Sequence, residues 1–212
     1  MKMNSLIILR HGQSQWNLEN RFTGWKDVPL TEKGINEAIQ AGKAIKRKKI
    51  KIDIIFSSTL QRANETAILA IKQIKQENLW DVKGNLIMQK DNSLNERDYG
   101  KLVGLNKKET AKEFGKKQVH IWRRSYDVAP PGGESLKEVV ERVNSFYIKN
   151  IESNIKNNKN VLVVAHGNSL RALLICIKMF KPKEISKIEI PTGNPFVISY
   201  KDNKLIKKKY LI

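Results

Sequence analysis

Short, continuously apolar runs in the chain are followed at once by polar or glycine residues, which is typical of strands buried on both faces. Three runs have this form, at 5–9, 52–56 and 161–165. Between them, apolar residues recur at helical spacing. The predicted helices are one capped by Thr31 with Ile35, Ala38, Ile39, Gly42 and Ile45 on its apolar face, one with Ala63, Ala67, Leu69, Ala70 and Ile74, one from about 135 to 153, and one over 170–179 before Pro182.

This alternation of strands and helices predicts an α/β fold, a three-layer α/β/α sandwich with a mainly parallel central sheet. The segments 196–200 and 205–210 are expected to form a final hairpin around Asp202 and Asn203. Around 86–134 the pattern loosens into short helices and loops rich in charge and glycine, as expected of an insertion that covers a site. We therefore predict one domain over 1–212 that carries this insertion over its active site.

The chain contains 40 Lys and Arg against 21 Asp and Glu, a formal charge of +19 that favours anionic ligands. Much of the excess lies in lysine tracts such as 46–51 and 207–209, in a chain also rich in Ile and Asn. Biased codon usage explains such tracts better than a dedicated nucleic-acid surface does. We therefore expect no specific nucleic-acid partner.

The cysteine content and the first apolar run bear on the compartment. Cys176 is the single cysteine, so no disulfide forms within the chain, and no Cys and His spacing indicates structural zinc. We interpret it as a small core residue on an apolar helix face. The run at 6–9 is too short for a signal sequence or a membrane span. We expect a cytoplasmic protein with no membrane partner.

Two of the three histidines follow predicted strands, each with a glycine after it. Because ligands bind at the carboxyl ends of strands in such sheets, these strand ends are the candidate site. The residues concerned are Arg10-His11-Gly12 after the first strand, Ser57-Ser58 with Arg62 one turn later after the second, and His166-Gly167-Asn168 after the third. The remaining histidine, His120, is interpreted as a structural or surface residue.

These residue types suit phosphoryl transfer. A neutral imidazole can accept a phosphoryl group covalently, and arginine forks bind the phosphoryl oxygens. The glycine after each histidine is expected to let backbone N–H groups approach the phosphate at a helix N-terminus.

The residues around both histidines closely resemble the histidine phosphatase superfamily and, within it, short 2,3-bisphosphoglycerate-dependent phosphoglycerate mutases, over nearly the whole chain. Arg-His-Gly alone marks the superfamily, most of whose members are phosphatases. The resemblance to the mutases rests on Leu9-Arg-His-Gly-Gln-Ser-Gln-Trp-Asn17, Asn20-Arg-Phe-Thr-Gly-Trp25, Leu94-Asn-Glu-Arg-Asp-Tyr-Gly100, Gly104-Leu-Asn-Lys107, Trp122-Arg-Arg124, His166-Gly-Asn-Ser-Leu-Arg171 and Ile190-Pro-Thr-Gly193.

The resemblance implies a role for each matched residue. His11 would be the phosphorylated nucleophile, and Arg10, Arg62 and His166 would hold the transferred group. Glu96 would exchange a proton with the substrate hydroxyl, which requires that its pKa be raised toward the working pH. The other implied substrate-binding residues are Ser14, Asn17, Thr23 and Gly24 around the phosphate and carboxylate, Tyr99, Lys107, Arg123 and Arg124 at the substrate's other anionic end, and Gly167 and Asn168 at the pocket floor.

The implied reaction is the interconversion of 2-phosphoglycerate and 3-phosphoglycerate in glycolysis and gluconeogenesis, primed by 2,3-bisphosphoglycerate and without a metal. The implied partners are small phosphoglycerate substrates, and the implied state is a monomer or homodimer.

Three departures from the family pattern accompany this resemblance. Asp98 stands where many mutases carry a histidine, the 131–134 loop is shorter than in longer relatives, and the sequence ends at Ile212 without the tail that closes the site in several relatives. We expect a shorter lid to admit more water and to raise phosphatase activity.

Some alternatives remain open from the sequence. The enzyme could be a phosphatase with the same nucleophile, or the chain could be a non-catalytic polyanion binder. Lys107 could be a solvated surface charge, and Glu96 could form a simple ion pair with Arg97.

Overall fold

A computed structural model describes residues 3–212; Met1 and Lys2, which the predicted domain includes, lie outside the described residues. It contains one six-stranded sheet of order β3-β2-β4-β1-β5-β6. The first four strands in this order are parallel to one another, β5 is antiparallel to β1, and β6 is antiparallel to β5. The mainly parallel sheet is therefore confirmed. The strands are β1 (Met3–Arg10), β2 (Ile54–Ser57), β3 (Gln89–Lys90), β4 (Val161–Ala165), β5 (Phe196–Lys201) and β6 (Lys204–Tyr210).

Helices cover both faces of the sheet and complete the predicted three layers. The helices are α1 (Gln15–Leu18), α2 (Glu32–Arg47), α3 (Gln61–Ile74), α4 (Lys107–Glu113), α5 (Lys116–Arg124), α6 (Leu136–Phe146), α7 (Ser153–Lys156), α8 (Gly167–Cys176) and α9 (Pro182–Ile185). A π-helical segment, Tyr147–Glu152, joins α6 to α7. The pair α2 and α3 packs on one face, and α6 and α8 pack on the other. Within residues 3–212, no helix has the length and apolar composition that crossing a membrane requires.

The central strand β1 explains why its apolar run is continuous. Leu6 and Ile8 point into the core beneath α6 and α8, whereas Ile7 and Leu9 point into the core beneath α2 and α3. All four are buried. A strand covered on both faces cannot alternate apolar and polar residues, so the run identifies an inner strand.

The α2 helix begins as predicted, because the Thr31 side chain accepts a hydrogen bond from the Gly34 N–H (3.1 Å). The prediction of its buried face was partly wrong. Ile35 and Ile39 are only half-buried, and small residues are buried instead. The cause is close packing on α3, since a Cβ on Gly42 would lie 2.1 Å from the Ala70 carbonyl oxygen.

Two other helix bounds differ from the prediction. The helix predicted over 170–179 starts at Gly167 and ends at Cys176, so its first turn follows β4 almost directly. Pro182 starts α9 rather than only ending the preceding helix. The hairpin is confirmed, because Asp202 and Asn203 form its turn with φ values of 49° and 62°.

The 86–134 segment contributes the edge strand β3 as well as the expected loops and short helices. The short 131–134 loop, at the end of this segment, is hydrogen-bonded to the middle of the segment. The Lys101 N–H donates to the Pro131 carbonyl (2.9 Å), and the Glu134 N–H donates to the Asp98 carbonyl (2.9 Å). Gly100 has φ 53°, and a Cβ there would lie 2.3 Å from Gly132, so the two segments pack backbone to backbone.

Candidate active site

The carboxyl ends of β1 and β4 bring His11 and His166 side by side. Arg10 pairs with Ala165 across the two strands, and the His11 N–H donates to the Ala165 carbonyl (3.0 Å). The two imidazole centroids lie 4.9 Å apart. Both side chains are buried, so the sheet gathers the two histidines below the protein surface.

Hydrogen bonding determines which nitrogen of His11 is reactive. Its Nδ1 lies 2.7 Å from the Gly12 carbonyl oxygen, which can only accept, so Nδ1 carries the proton and Nε2 carries the lone pair. Burial, together with Arg62 and Arg10, lowers the pKa of His11 well below its usual 6.5. His11 is therefore neutral at pH 7, with Nε2 available as a nucleophile.

His166 is also held neutral, but through different contacts. Its Nε2 lies 2.7 Å from the Ser58 hydroxyl, which accepts a hydrogen bond from the Leu60 N–H (3.3 Å). Burial, Arg62 and His11 lower the pKa of His166 well below 6.5. Its buried Nδ1 has no hydrogen-bond partner among residues 3–212.

Arg10 and Arg62 surround the histidines with donors. Backbone carbonyls hold Arg62 through both Nη atoms, at Lys26 (3.0 Å) and Gly24 (2.9 Å). The carbonyl of Ile190 holds Arg10 through Nη1 (2.9 Å). In the described part of the chain, the buried Nε of each arginine lacks a partner. An unsatisfied buried donor is costly, so an oxyanion is the ligand that these groups favour.

Arg62 remains charged although it is almost completely buried. Burial lowers its pKa to about 10, with Glu96 and Asp27 acting in the opposite direction. The site therefore keeps a positive charge next to His11 at neutral pH.

Glu96 is buried, and only one of its two carboxylate oxygens accepts hydrogen bonds from residues 3–212. Its Oε1 accepts from the Arg97 N–H (2.8 Å), the Asn168 N–H (3.1 Å) and the Asn168 Nδ2 (3.0 Å). Its Oε2 and the Arg10 guanidinium each lie 3.7 Å from where a Cβ on Gly167 would stand. The glycine thus leaves free space between a carboxylate oxygen and a cation.

The expected rise in the pKa of Glu96 is not found. Burial does act to raise it, but the hydrogen bonds from Arg97 and Asn168 and the charges of Arg10 and Arg62 outweigh burial, so the pKa lies below its usual 4.5. Glu96 is a carboxylate here and can accept a proton. It forms no ion pair with Arg97, whose guanidinium donates to the carbonyls of Trp122 (2.7 Å) and Arg123 (3.1 Å).

A pocket of about 110 Å³ opens above these groups. Five cationic side chains and two carboxylates line it, so it suits an anion. Of the predicted residues, those that line it are Arg10, Asn17, Thr23, Gly24, Glu96, Tyr99, Lys107, Arg123, Arg124, Gly167 and Asn168. His11, Arg62 and His166 are buried and are not part of this lining. Among residues 3–212, no three His, Cys, Asp or Glu side chains cluster as metal ligands would.

Ser14 and Gly12, in the loop after β1, make contacts within the protein. The predicted binding residue Ser14 is buried and does not line the pocket; its hydroxyl caps α1, while its own N–H donates to the Asn17 Oδ1 (3.1 Å). The Gly12 N–H, which was expected to approach a phosphate, donates instead to the Thr66 hydroxyl (3.0 Å). Gly12 is required for packing instead, since a Cβ there would lie 2.1 Å from the Gly34 carbonyl oxygen.

The far side of the pocket is formed by the 86–134 segment. Lys107 is half-buried with its Nζ 5.7 Å from the Phe22 ring centroid, and burial lowers its pKa. It is therefore a pocket residue and not a solvated surface charge. Arg123 and Arg124 occupy the last turn of α5, and although neighbours on a helix point about 100° apart, both line the pocket. Arg124 has a buried Nη1 without a partner among residues 3–212.

Tyr99 lies between the two sides of the pocket. Its hydroxyl accepts from the Asn168 Nδ2 (3.2 Å), and the Arg97 guanidinium lies 4.7 Å from its ring centroid. Burial acts to raise the pKa of Tyr99, but Arg97 and the Asn168 hydrogen bond outweigh it and lower the pKa below its usual 10. Asp98 accepts from the Gly100 N–H (2.9 Å) and stabilises the adjacent turn.

Sequence reasoning gave no role to two further lining residues, Arg171 and Glu189. Arg171 donates to the Asn168 Oδ1 (3.3 Å), which turns the Asn168 amide nitrogen toward Glu96. Glu189 forms ion pairs with Arg171 (3.3 Å) and Arg124. Arg171 lies in the 166–171 motif, one helical turn after Asn168, and this spacing could have indicated that Arg171 belongs to the site. No feature of the sequence indicated this for Glu189.

Comparison with known proteins agrees with this chemistry. The family model for the histidine phosphatase superfamily (branch 1) matches residues 6–211. A 2,3-bisphosphoglycerate-dependent phosphoglycerate mutase of Methylocella silvestris is 48% identical over 207 residues, covering 98% of this chain and 97% of that protein. A protein of the same name from Bartonella bacilliformis is 46% identical over 208 residues, covering 98% of each.

Similar solved structures include phosphatases. A mycobacterial glucosyl-3-phosphoglycerate phosphatase in complex with VO3 has a TM-score of 0.77 and 25% identity, with 92% of each chain covered. The match over residues 6–211 and the two relatives establish the family. The chain therefore belongs to the histidine phosphatase superfamily and is an enzyme of that superfamily.

Proposed function

We propose that this enzyme interconverts 2-phosphoglycerate and 3-phosphoglycerate through a phosphohistidine at His11. One observation carries the proposal. The neutral His11 with a free Nε2 lies among unpartnered buried donors, and a second cationic group stands across the pocket at Lys107, Arg123 and Arg124. Such an arrangement would take one anionic group at the nucleophile and hold another at a distance.

The resting enzyme would carry the phosphoryl group on Nε2 of His11. When 3-phosphoglycerate binds, its free hydroxyl attacks the phosphorus, the P–N bond breaks, and a P–O bond forms. The Nε groups of Arg10 and Arg62 and an Nδ1–H of His166 would donate to the phosphoryl oxygens as charge develops on them.

Glu96 would take the proton that the attacking hydroxyl loses. Its lowered pKa keeps it ionised and ready to do so, and Oε2 is the oxygen left open for the transfer. Two phosphate groups in the pocket would then raise its pKa, because nearby anions stabilise the protonated carboxyl. Protonated Glu96 returns the proton to the leaving oxygen when the bisphosphate donates its other phosphoryl group to His11.

The distal cations support a mutase over a simple phosphatase. A mutase must hold the intermediate while it reorients, so the end that is not reacting needs its own anchor. Arg124 offers a buried Nη1 without a partner in the described residues, and Arg123 and Lys107 add positive charge. The relatives from Methylocella and Bartonella that share nearly half of the sequence carry the mutase name.

The proposal includes a primer, partners and a compartment. We propose 2,3-bisphosphoglycerate as the primer and intermediate, phosphoglycerates as the substrates, no metal, and no specific nucleic-acid partner. A cytoplasmic location and a monomeric or homodimeric state are part of the same proposal.

The test is conversion of 3-phosphoglycerate to 2-phosphoglycerate by purified protein in chelator, with and without catalytic 2,3-bisphosphoglycerate, while free phosphate is followed in the same tube. The proposal predicts rapid isomerisation that 2,3-bisphosphoglycerate stimulates, little free phosphate, and complete loss of activity in His11→Ala. A strict need for added metal would contradict it.

A phosphatase is the second candidate, because similar structures include the mycobacterial glucosyl-3-phosphoglycerate phosphatase. In that case water takes the phosphoryl group from His11. Phosphate release without isomerisation in the same assay would favour this function.

A further inference from the structure

The segment that carries Glu96 has no helix or strand of its own. Residues 95–99 connect two short 3-10 helices, Asn92–Leu94 and Gly100–Leu102. The backbone of such a segment is held only by the contacts that other elements make with it. These contacts therefore determine where the Glu96 carboxyl lies.

One arginine on α6 makes several contacts at the start of this segment. Arg142 donates through Nη1 to the carbonyls of Ser93 (2.7 Å) and Asn95 (3.0 Å), and through Nη2 to the carbonyl of Glu96 (3.1 Å). Its side chain is 18% exposed, and it does not line the pocket. Arg142 thus holds the main chain at Glu96 and just before it.

Glu134 holds the other side. Its carboxylate accepts from Arg142 at both Nε and Nη2 (2.9 Å each), so the pair is a two-bond fork. The same Oε2 accepts from the Asp98 N–H (2.8 Å). The pair therefore fixes the backbone on both sides of Glu96.

Trp25 completes the arrangement from the loop that also carries Thr23 and Gly24. Its indole N–H donates to the Glu96 carbonyl (2.6 Å), and the Arg142 guanidinium lies 5.9 Å from its ring centroid. The Glu96 carbonyl thus accepts from two donors on separate elements.

We propose that Arg142, held by Glu134, is a positioning residue for the proton transfer at Glu96. The proposal rests on the proposed function, in which Glu96 is the group that exchanges the proton. Asn168 orients the carboxylate from α8, while Arg142 fixes the main chain from α6. Lysine cannot replace Arg142, because a single ammonium cannot form the fork with Glu134 and also reach three carbonyls.

Leaving groups of different basicity separate a positioning role from a purely structural one. When 2,3-bisphosphoglycerate phosphorylates His11, the alkoxide that leaves needs the proton of Glu96. When 4-nitrophenyl phosphate does so, the phenolate that leaves is stable without a proton. A variant that misplaces only Glu96 therefore loses the first reaction and keeps the second.

The experiment measures the rate constant of His11 phosphorylation by each donor under single-turnover conditions. Glu96→Gln gives the signature of a lost proton donor. Arg142→Lys is expected to slow phosphorylation by 2,3-bisphosphoglycerate roughly 10- to 100-fold, since small misplacements of catalytic groups have effects of that order. Phosphorylation by 4-nitrophenyl phosphate should change by no more than about threefold. Glu134→Gln should have the same selective effect, and Arg47→Lys, an exposed arginine on α2, should have none on either donor.

The inference is overturned if Arg142→Lys and Glu134→Gln slow His11 phosphorylation by both donors equally. It is also overturned if these variants slow phosphorylation by neither donor. Thermal unfolding of each variant identifies one that is not folded, and the other variant then decides. If wild-type His11 is not phosphorylated, or if Glu96→Gln slows both donors equally, the proposed function fails instead.

Discussion

At the residue scale, the site depends on burying two histidines in neutral form beside arginines. Burial and the nearby guanidinium groups lower both pKa values, and hydrogen bonds to Gly12 and Ser58 fix the ring orientations. A nucleophile in this state needs no deprotonation at pH 7, which is the chemical requirement for accepting a phosphoryl group.

The same pKa values predict how stability depends on pH. Below about pH 6.5 the unfolded chain protonates His11 and His166, whereas the folded protein does not, so the free energy of unfolding falls as pH falls. Between pH 7 and about pH 5.5 the loss should reach up to roughly 1 kcal/mol for each histidine. Urea unfolding at both pH values measures it. The variant His11→Gln/His166→Gln should lose part of this pH dependence; an unchanged slope would show that the two histidines are not the cause.

The positions of candidate site residues that follow buried strands could be predicted from the sequence, while properties that depend on neighbouring side chains could not. The positions of His11 and His166 after buried strands sufficed to place them together. The lowered pKa of Glu96 depends on hydrogen bonds from Asn168 and the following N–H, which no spacing reveals. Glu189 contacts arginines from two different helices, and that contact exists only after folding.

At the element scale, several positions require glycine because two backbone segments lie too close together for a Cβ. Gly12 is needed because the loop after β1 meets the first turn of α2, where a Cβ would lie 2.1 Å from the Gly34 carbonyl oxygen. The sequence suggested phosphate binding for this glycine, because a glycine after a histidine has both explanations and only the packing of α2 distinguishes them.

Gly12→Ala should therefore destabilise the protein by about 2 kcal/mol or more, because neither backbone segment can move without disturbing β1 or α2. Gly84→Ala is the control: it has φ 78° and no atom within 4 Å of the added Cβ. It should cost only about 1 kcal/mol of positive-φ strain. Chemical unfolding of both variants tests this, and a smaller cost at Gly12 than at Gly84 would refute the packing argument.

Element types were predicted well where local pattern and burial agree. The inner strands β1 and β4 are apolar on both faces, so their runs were unambiguous. The start of α8 at Gly167 was missed, because Gly167, Asn168 and Ser169 are buried helix residues without an apolar pattern. The two-residue strand β3 has exposed side chains and gives no pattern at all.

At the scale of the whole molecule, the charge of +19 raises the question of whether distant lysines assist binding. The α2 helix begins beside Gly12, and its 16 residues end at Arg47. At about 1.5 Å per residue, Lys46, Lys48 and Lys49 therefore lie about 24 Å from the start of the helix near the site. Charges at that distance are screened at physiological ionic strength, where the Debye length is about 8 Å.

Replacing Lys46, Lys48 and Lys49 with Gln should therefore change KM for 3-phosphoglycerate less than about twofold. Lys107→Gln removes one charge inside the pocket and should raise KM roughly tenfold or more. Steady-state kinetics at 0.15 M salt, about physiological strength, compares the two. An equal rise in both variants would mean that the overall charge, rather than the pocket, binds the substrate.

The most direct test of the account is to trap the phosphoenzyme. Purified protein is incubated with 2,3-bisphosphoglycerate labelled in both phosphates, separated from free ligand, digested and mapped, and a second portion is chased with unlabelled 3-phosphoglycerate. We predict label on His11 alone, absent in His11→Gln, and its transfer to phosphoglycerate during the chase. Label at another residue, or none in protein that turns over substrate, would contradict the account.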